Sequence, residues 1–269
     1  SRWFTDNRGF ALGISAIGTN VGGIILPILV SAWLLHVGWR GTLNNLLILA
    51  VAVVLPLTLL ILRRSPAAAT REPSEDDVDQ RVWTTKEILT TSLFWIPFCG
   101  LAPISMAFGT LQFNLGIIVQ DIGLDGDVTA GLIALTSVSM VLGKLFFGVM
   151  GDRVDHRKLY WVANAATIVA VLLFMNAQSL TVLVIATFAT GISGGGILPL
   201  MGLMYSYRFG VASFGRVMGF GMLTIMAGAI SPIGAGWVYD LYGSYSYAFI
   251  ALIIIMLPSG IAMAWLRER

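Results

Sequence analysis

The sequence predicts an all-α integral membrane protein, a polytopic helix bundle with eight transmembrane helices. Three observations predict it. Only 11% of the 269 residues are charged and 57% are hydrophobic, whereas a soluble domain averages about 25% charged residues. The charges gather between uncharged runs of roughly 20 residues, the length that crosses a bilayer core as a helix. The basic residues fall almost entirely on one side of the implied bundle. The runs are continuously apolar and do not alternate, so helices that satisfy their own backbone groups are favoured over a barrel. Mean hydropathy is +0.85. A net charge of +2 offers no broad basic surface, so nucleic acid is not an expected partner.

The eight spans fall near residues 10–35, 42–62, 92–119, 128–150, 158–177, 180–205, 216–239 and 246–266. Thr42 to Leu62 and Ser246 to Leu266 carry no charge at all. The first span holds Gly9, Gly13, Gly18, Gly22, Gly23 and Pro27. Gly18 and Gly22 have the GxxxG spacing that lets two helix backbones approach closely. The sixth span holds GISGGGILP, Gly191 to Pro199, and the seventh MGFGMLTIMAGAISPIGAG. Such glycine serves either close packing or bending, and the sequence leaves both open.

Between the second and third spans, residues 63–91 read as a polar linker of mixed charge that includes the acidic run EDDVD. Trp83 and the residues after it are compatible with a short surface helix. The expected organisation is therefore two helices (1–62), a cytoplasmic linker (63–91) and a six-helix bundle (92–269). About thirty linker residues leave no room for a soluble catalytic domain.

Orientation follows from the basic residues in the loops. Arg2 and Arg8, then Arg63, Arg64, Arg71, Arg81 and Lys86, then Arg153, Arg157 and Lys158, then Arg208 and Arg216, and last Arg267 and Arg269 share one side. Arg40 alone lies on the other, and Lys144 lies inside a span. Both termini are thus expected in the cytoplasm, with the chain in the cell's inner or plasma membrane and lipid as its surroundings. The chain opens on SRWFTDNRG with neither Met nor the layout of a signal peptide. It reads as a fragment whose intact form carries further N-terminal helices.

The stretch GKLFFGVMGDRVDHRK, Gly143 to Lys158, carries the densest charge. Gly148 lets a neighbouring helix approach. Asp152, Arg153, Arg157 and Lys158 are confined to a tight turn, where pairs at the membrane edge can lock one conformation yet break during a cycle. Interfacial anchoring explains the basic residues equally well, but it does not require Asp152. The stretch resembles the loop motif of the major facilitator superfamily, G-x-L-A-D-R-x-G-R-K. Gly148, Asp152, Arg153, Arg157 and Lys158 fit it; Asp155 stands where that pattern has its second Gly, and His156 adds a residue. The resemblance implies that the spans are family helices five to twelve. A second set of residues, Arg8, Ala11, Gly13, Pro27, Gly38, Trp39 and Arg40, is similar to the monocarboxylate transporter and oxalate–formate antiporter branch, as is GWVYDLYGSYSYAF, Gly236 to Phe249.

Lys144 lies seven residues before Gly151, about 10 Å along the helix axis. A charge at that depth faces water, a partner or a substrate, unless its stem snorkels to the interface. A cation in a wet cleft suits a carboxylate. The branch resemblance implies that Lys144 binds the substrate anion. Met140 stands where some members carry an acidic partner, and the span 216–239 has no lysine for a second grip. A monovalent organic anion fits better than a dicarboxylate, and coupling to a co-transported proton is left open. Asn20, Gln112 and Asn114 are further, weaker substrate-binding candidates, as are Ser193 and Thr224, and each either lines a cleft or bonds a neighbouring helix; Asp121 and Asp127 are expected to be solvated. Cys99 is expected to pack against a helix or lipid.

The expected function is secondary active transport of a small, monocarboxylate-like solute by alternating access. The alternatives are a superfamily transporter of another solute class, sugar or drug efflux, and more distantly a polytopic membrane enzyme. Nothing resembles a channel filter. No enzyme activity, cofactor or metal is expected: Cys99, His36 and His156 make no ligand cluster, and no nucleophile–base arrangement lies at a helix end.

Overall fold

Close approach of helix backbones organises the bundle, and glycine makes it possible. The computed structural model describes residues 8–62 and 82–266, and these are all-helical, without a strand. The helices are α1 (Arg8–Leu49), α2 (Leu55–Leu62), α3 (Thr85–Thr90), α4 (Ser92–Phe113), α5 (Leu115–Asp121), α6 (Gly126–Gly151), α7 (His156–Met175), α8 (Leu180–Gly221), α9 (Leu223–Tyr242) and α10 (Ser246–Ala264). The contacts divide the chain into two compact units, one built on Gln80–Arg269 and the other on Gly18–Asp79.

Seven helical stretches among the described residues are long and apolar enough to cross a membrane: His36–Leu60, Ser92–Phe113, Val128–Gly151, His156–Met175, Leu180–Gly210, Ala212–Tyr242 and Ser246–Ala264. The expected span 10–35 falls on α1, where most side chains, Gly18 and Gly22 among them, lie outside the described residues. Residues 63–81, with the acidic run, also lie outside them.

In the smaller unit α1 is interrupted at Gly38, which adopts φ 65°. That left-handed conformation is cheap only for glycine. Thr42 is buried and its hydroxyl donates to the Gly38 carbonyl at 2.8 Å. Arg40 lies over the ring of Trp39, 4.3 Å from its centroid. Further on, Ala50–Val54 forms a π-helical turn before α2. Pro56 follows it and has no N–H for the carbonyl four residues back, the kind of gap that a wider turn absorbs.

In the larger unit, α6 packs along α8. A Cβ on Gly143 would strike the Ile192 carbonyl, one on Gly191 would strike Ser139, and one on Gly195 would strike the Met140 carbonyl. Helices α4 and α9 meet in the same way, at Gly109, Gly228 and Ser105. The glycines of GISGGGILP therefore serve packing, and α8 runs through them unbroken. It breaks instead at Gly210, φ 69°. The loop expected between residues 205 and 216 is thus a single glycine break, and Arg208 belongs to a helix. The expected span 92–119 is likewise divided, at Asn114, into α4 and α5.

Hydroxyls tie α7 to its neighbours. Tyr160 is fully buried and its hydroxyl lies 3.2 Å from the Gly100 carbonyl of α4 and 2.9 Å from Ser259 Oγ of α10. Trp161 Nε1 donates to the Gly260 carbonyl at 3.0 Å. In hydrocarbon no water would otherwise satisfy these groups. The outward faces are apolar: Ile233, Trp237, Ile254 and Trp265 are each more than 60% exposed, which suits lipid contact. Cys99 is exposed on α4, so its surroundings are those of the outer face.

Segment α3 is the short helix anticipated after Trp83, and it is docked. Thr84 and Glu87 form a reciprocal capping box at its start. Ile88 is fully buried, and Trp83 packs edge-on to Phe209, with centroids 5.0 Å apart. The Trp83 amide donates to Ser213 Oγ at 2.8 Å, and Arg216 donates to the Trp83 carbonyl at 2.5 Å. Trp83, expected within the linker, is thus seated beside the break in α8.

Candidate functional site

Lys144 lies on α6 and is 2% exposed. It is among the largest fully buried side chains of the described residues. Gly195 presses on its backbone: a Cβ there would lie 3.1 Å from the Lys144 nitrogen. The same face of α6 presents Thr136 and Ser139, both buried, with hydroxyls that donate to Leu132 and Leu135 carbonyls. Ser193 across on α8 is buried and donates to the Thr190 carbonyl. These hydroxyls are engaged with their own helices, so the cation is the chemically distinctive group on this interface.

The other sequence-predicted residues are distributed. Gln112 on α4 is half-buried. Asn114 is buried and both ends of its amide are engaged: Nδ2 donates to the Thr110 carbonyl at 2.9 Å, and Oδ1 accepts from the Tyr245 hydroxyl at 3.0 Å. Asn114 therefore serves the helix break rather than an open wall. Asn20 is buried in the smaller unit. Thr224 is fully buried on α9, and its hydroxyl has no hydrogen-bond partner.

At the far end of α6 the charged turn is tightly built. Asp152 caps the C-terminus of α6 and is half-buried; Gly148 is buried; Arg153 and Lys158 are exposed. Asp155 is the N-cap of α7, its Oδ1 accepting the Arg157 amide at 2.9 Å. Arg157 returns its guanidinium to Asp155 Oδ2, also at 2.9 Å. Arg157 reaches on to the Leu266 carbonyl beyond α10, at 3.3 Å. His156 Nε2 lies 3.1 Å from the Gly151 carbonyl, and its ring lies 5.0 Å from that of Tyr207.

This turn borders a cavity of about 380 Å³, lined by residues 151–156 with Tyr207 and Arg208. Arg208 donates to the Met204 carbonyl at 2.9 Å, while its buried Nε has no partner. Asp155, His156, Tyr207 and Arg208 thus join the motif residues Asp152 and Arg153. Sequence reasoning missed them. Asp155 looked like a departure from a pattern, although Asp just ahead of a helix is an N-cap signal in its own right. Arg208 looked like a loop charge.

A second cavity, of about 420 Å³, lies between α4, α9 and α10, with Met106, Ile230, Leu252 and Ile255 among its lining. Ser231 donates to the Met106 carbonyl at 2.8 Å, and Thr110 donates to Ser231 at 3.2 Å. The lining is apolar, and Ile230 and Ile255 are exposed on the outer face. It suits hydrocarbon, not a charged solute.

The family model for the Major Facilitator Superfamily matches residues 1–138 and 98–269. The chain is 26% identical over 260 residues to monocarboxylate transporter 13 of Rattus norvegicus, covering 93% of this chain and 58% of that protein. It is 22% identical over 271 residues to the uncharacterized MFS-type transporter YcxA of Bacillus subtilis, covering 95% and 63%. It is 25% identical over 264 residues to the agnestins efflux protein AgnL12 of Paecilomyces divaricatus, covering 96% and 58%. The chain therefore spans about three-fifths of the length of these relatives. With its membrane-crossing helices, its charged turn after Gly148 and these matches, the chain belongs to the Major Facilitator Superfamily, and it resembles that family's monocarboxylate-transporter-like members.

Proposed function

We propose that this chain is the larger part of a secondary transporter that carries a small organic anion, monocarboxylate-like, by alternating access between two helix bundles. The observation that carries the reading is Lys144: a lysine 2% exposed, on a membrane-crossing helix, about 10 Å from its end. A cation so placed is costly unless function requires it. An ammonium group also pairs well with a solute carboxylate. The similarity to a monocarboxylate transporter supports the solute class. Gln112 and Asn20 remain polar candidates, each within its own unit. Gly148, Asp152, Arg153, Arg157 and Lys158 form the conformational motif, with Asp155 as the partner that Arg157 holds in this state. In this reading both termini face the cytoplasm, and further N-terminal helices complete the first bundle.

The test is uptake of a labelled monocarboxylate by the intact protein in proteoliposomes. Lys144→Ala lowers uptake about tenfold or more, and Lys144→Arg retains part of it. Normal uptake by Lys144→Ala at equal protein level overturns the assignment. The similarity to an efflux protein favours one second reading, export of a larger organic molecule. That reading predicts drug-like efflux that is indifferent to Lys144.

A further inference from the structure

Helix α9 is tied to α4, and a cavity separates it from α10. Pro232 lies inside α9 and has no N–H for the Gly228 carbonyl four residues back. The Ser231 hydroxyl lies 3.1 Å from that carbonyl and 2.8 Å from the Met106 carbonyl of α4. Its oxygen accepts from Thr110 of α4 at 3.2 Å. The backbones touch at the same level, where a Cβ on Gly109 would strike the Gly228 carbonyl. Helix α10 approaches α9 at the turn that joins them, and there the rings of Tyr242 and Tyr247 lie 4.8 Å apart. Beyond that turn the cavity of about 420 Å³ lies between the two helices, with Met106 and Thr110 as its floor.

The shape and chemistry of this groove fit a hydrocarbon chain. The hydroxyls of its floor are engaged with one another and with backbone carbonyls. Its walls are small, with Gly234 and Ala235 on α9 and Ala248 and Ala251 on α10. It opens on the outer face beside Ile230 and Ile255, both exposed. The medium at that opening is lipid, and an unfilled groove forfeits the dispersion contacts of its walls. From Tyr242 to Ile230 the groove runs about 18 Å along α9, close to the roughly 15 Å that one leaflet contributes to the hydrocarbon core. Tyr242 and Tyr247 at its mouth are exposed, and amphipathic rings of this kind sit at headgroup level. Residues 236–256 include no Lys or Arg, so no cation at the mouth selects a phosphate.

We propose that the groove between α9 and α10 is a binding site for one acyl chain of a phospholipid, drawn from the leaflet on the side of the 243–245 turn. A chain in the groove touches three helices, whereas a chain on the convex outer face touches one, and the added dispersion contacts hold it. The site takes the lipid by its chain and not by a headgroup charge. Its lining comes from α4, α9 and α10 and includes no residue of α6 or α8. Its test is therefore separate from that of the solute proposed for Lys144, and either can fail alone.

The experiment places the intact protein in phosphatidylcholine nanodiscs that contain a small fraction of phosphatidylcholine with a mid-chain diazirine. Illumination joins the chain to the side chains it touches, and peptide mass spectrometry locates the adducts. Label over 227–238 and 248–255 is expected to exceed that on the exposed Val162 and Val169 face of α7 about fivefold. Gly234→Leu fills the groove, and a Cβ at 234 meets nothing within 4 Å. Gly236 is equally open but outside the lining, so Gly236→Leu adds the same bulk elsewhere. Gly234→Leu is expected to bring the groove label down to the level of α7, and Gly236→Leu to leave it unchanged. Ala251→Leu fills the groove from α10 and repeats the test without altering α9. The proposal is overturned if the wild-type groove is labelled no more than α7, as it would be were another helix of the intact protein to cover it. It is also overturned if Gly234→Leu and Ala251→Leu leave the label in place, or if Gly236→Leu lowers it as much.

Discussion

Gly195 of α8 lies so close to α6 that a side chain there would stand 3.1 Å from the backbone nitrogen of Lys144 and would strike the Met140 carbonyl. The buried lysine thus sits where two helix backbones touch. The interface cannot part for a methyl group without moving the segment that carries the charge. Gly195→Ala is expected to destabilise the protein by about 1–3 kcal/mol through overpacking. Gly131→Ala, on α6 with open space around it, is expected to be neutral or to stabilise by up to about 1 kcal/mol from helix propensity. Thermal midpoints in detergent check both, and equal effects would argue against the close approach.

The Asp155 side chain does two jobs, capping α7 and pairing with Arg157, and two substitutions separate them. Asp155→Asn keeps an acceptor for the Arg157 amide and loses the ion pair; at a half-exposed site that pair contributes about 0–1 kcal/mol. Asp155→Ala loses the cap as well, costing about 1 kcal/mol more. The expected order of thermal midpoints is wild type, Asn, Ala. Equal midpoints for Asn and Ala would show that the cap contributes nothing.

The Tyr160 hydroxyl joins three helices inside the membrane-crossing region. Tyr160→Phe leaves the ring and removes the bonds. Bonds of this kind between membrane helices contribute about 0.6 kcal/mol on average. The expected loss of stability in an unfolding titration is therefore small, below about 2 kcal/mol. A loss as large as that of a deleted core side chain would mean that the hydroxyl does more than bridge.

The Tyr245 hydroxyl gives a pH dependence. Burial, the largest cause, and the neighbouring Tyr239, Asp121 and Asp240 push it up to about 12 from the usual value of 10.0. A folded tyrosine that holds its proton while the unfolded one releases it stabilises the fold below pH 10. That contribution is lost as pH rises from 10 toward 12. Wild-type stability should fall across this window, and Tyr245→Phe should fall less steeply. Parallel curves for the two proteins would exclude the contribution.

Much of the architecture was legible because the signal was long. Uninterrupted apolar runs such as Ser246–Ala264 left one reading. The boundaries were lost where a single residue did the work of a loop. Gly210 ends a span without a polar stretch, so Arg208 counts as a loop charge in the sequence, whereas it is half-buried beside a cavity. Asn114 divides a span that stays apolar on both sides, and hydropathy has no term for that. The depth of Lys144 was legible from spacing alone. That Asn114 is tied to Tyr245 was not, because the pair is 131 residues apart. The role of Asp155 was available locally and was masked by comparison with a motif.

The seat of Trp83 on the far half of the bundle has a consequence in time. Its partner Ser213 lies 130 residues later in the chain. At roughly 5–20 residues per second of synthesis, Trp83 leaves the ribosome about 6–26 s before the group that receives it. Through that interval Trp83, which packs on Phe209 in the finished protein, has no dock. The bundle from α4 to α8 must thread into the membrane first, and the segment before it closes afterwards, against the order in which it was made.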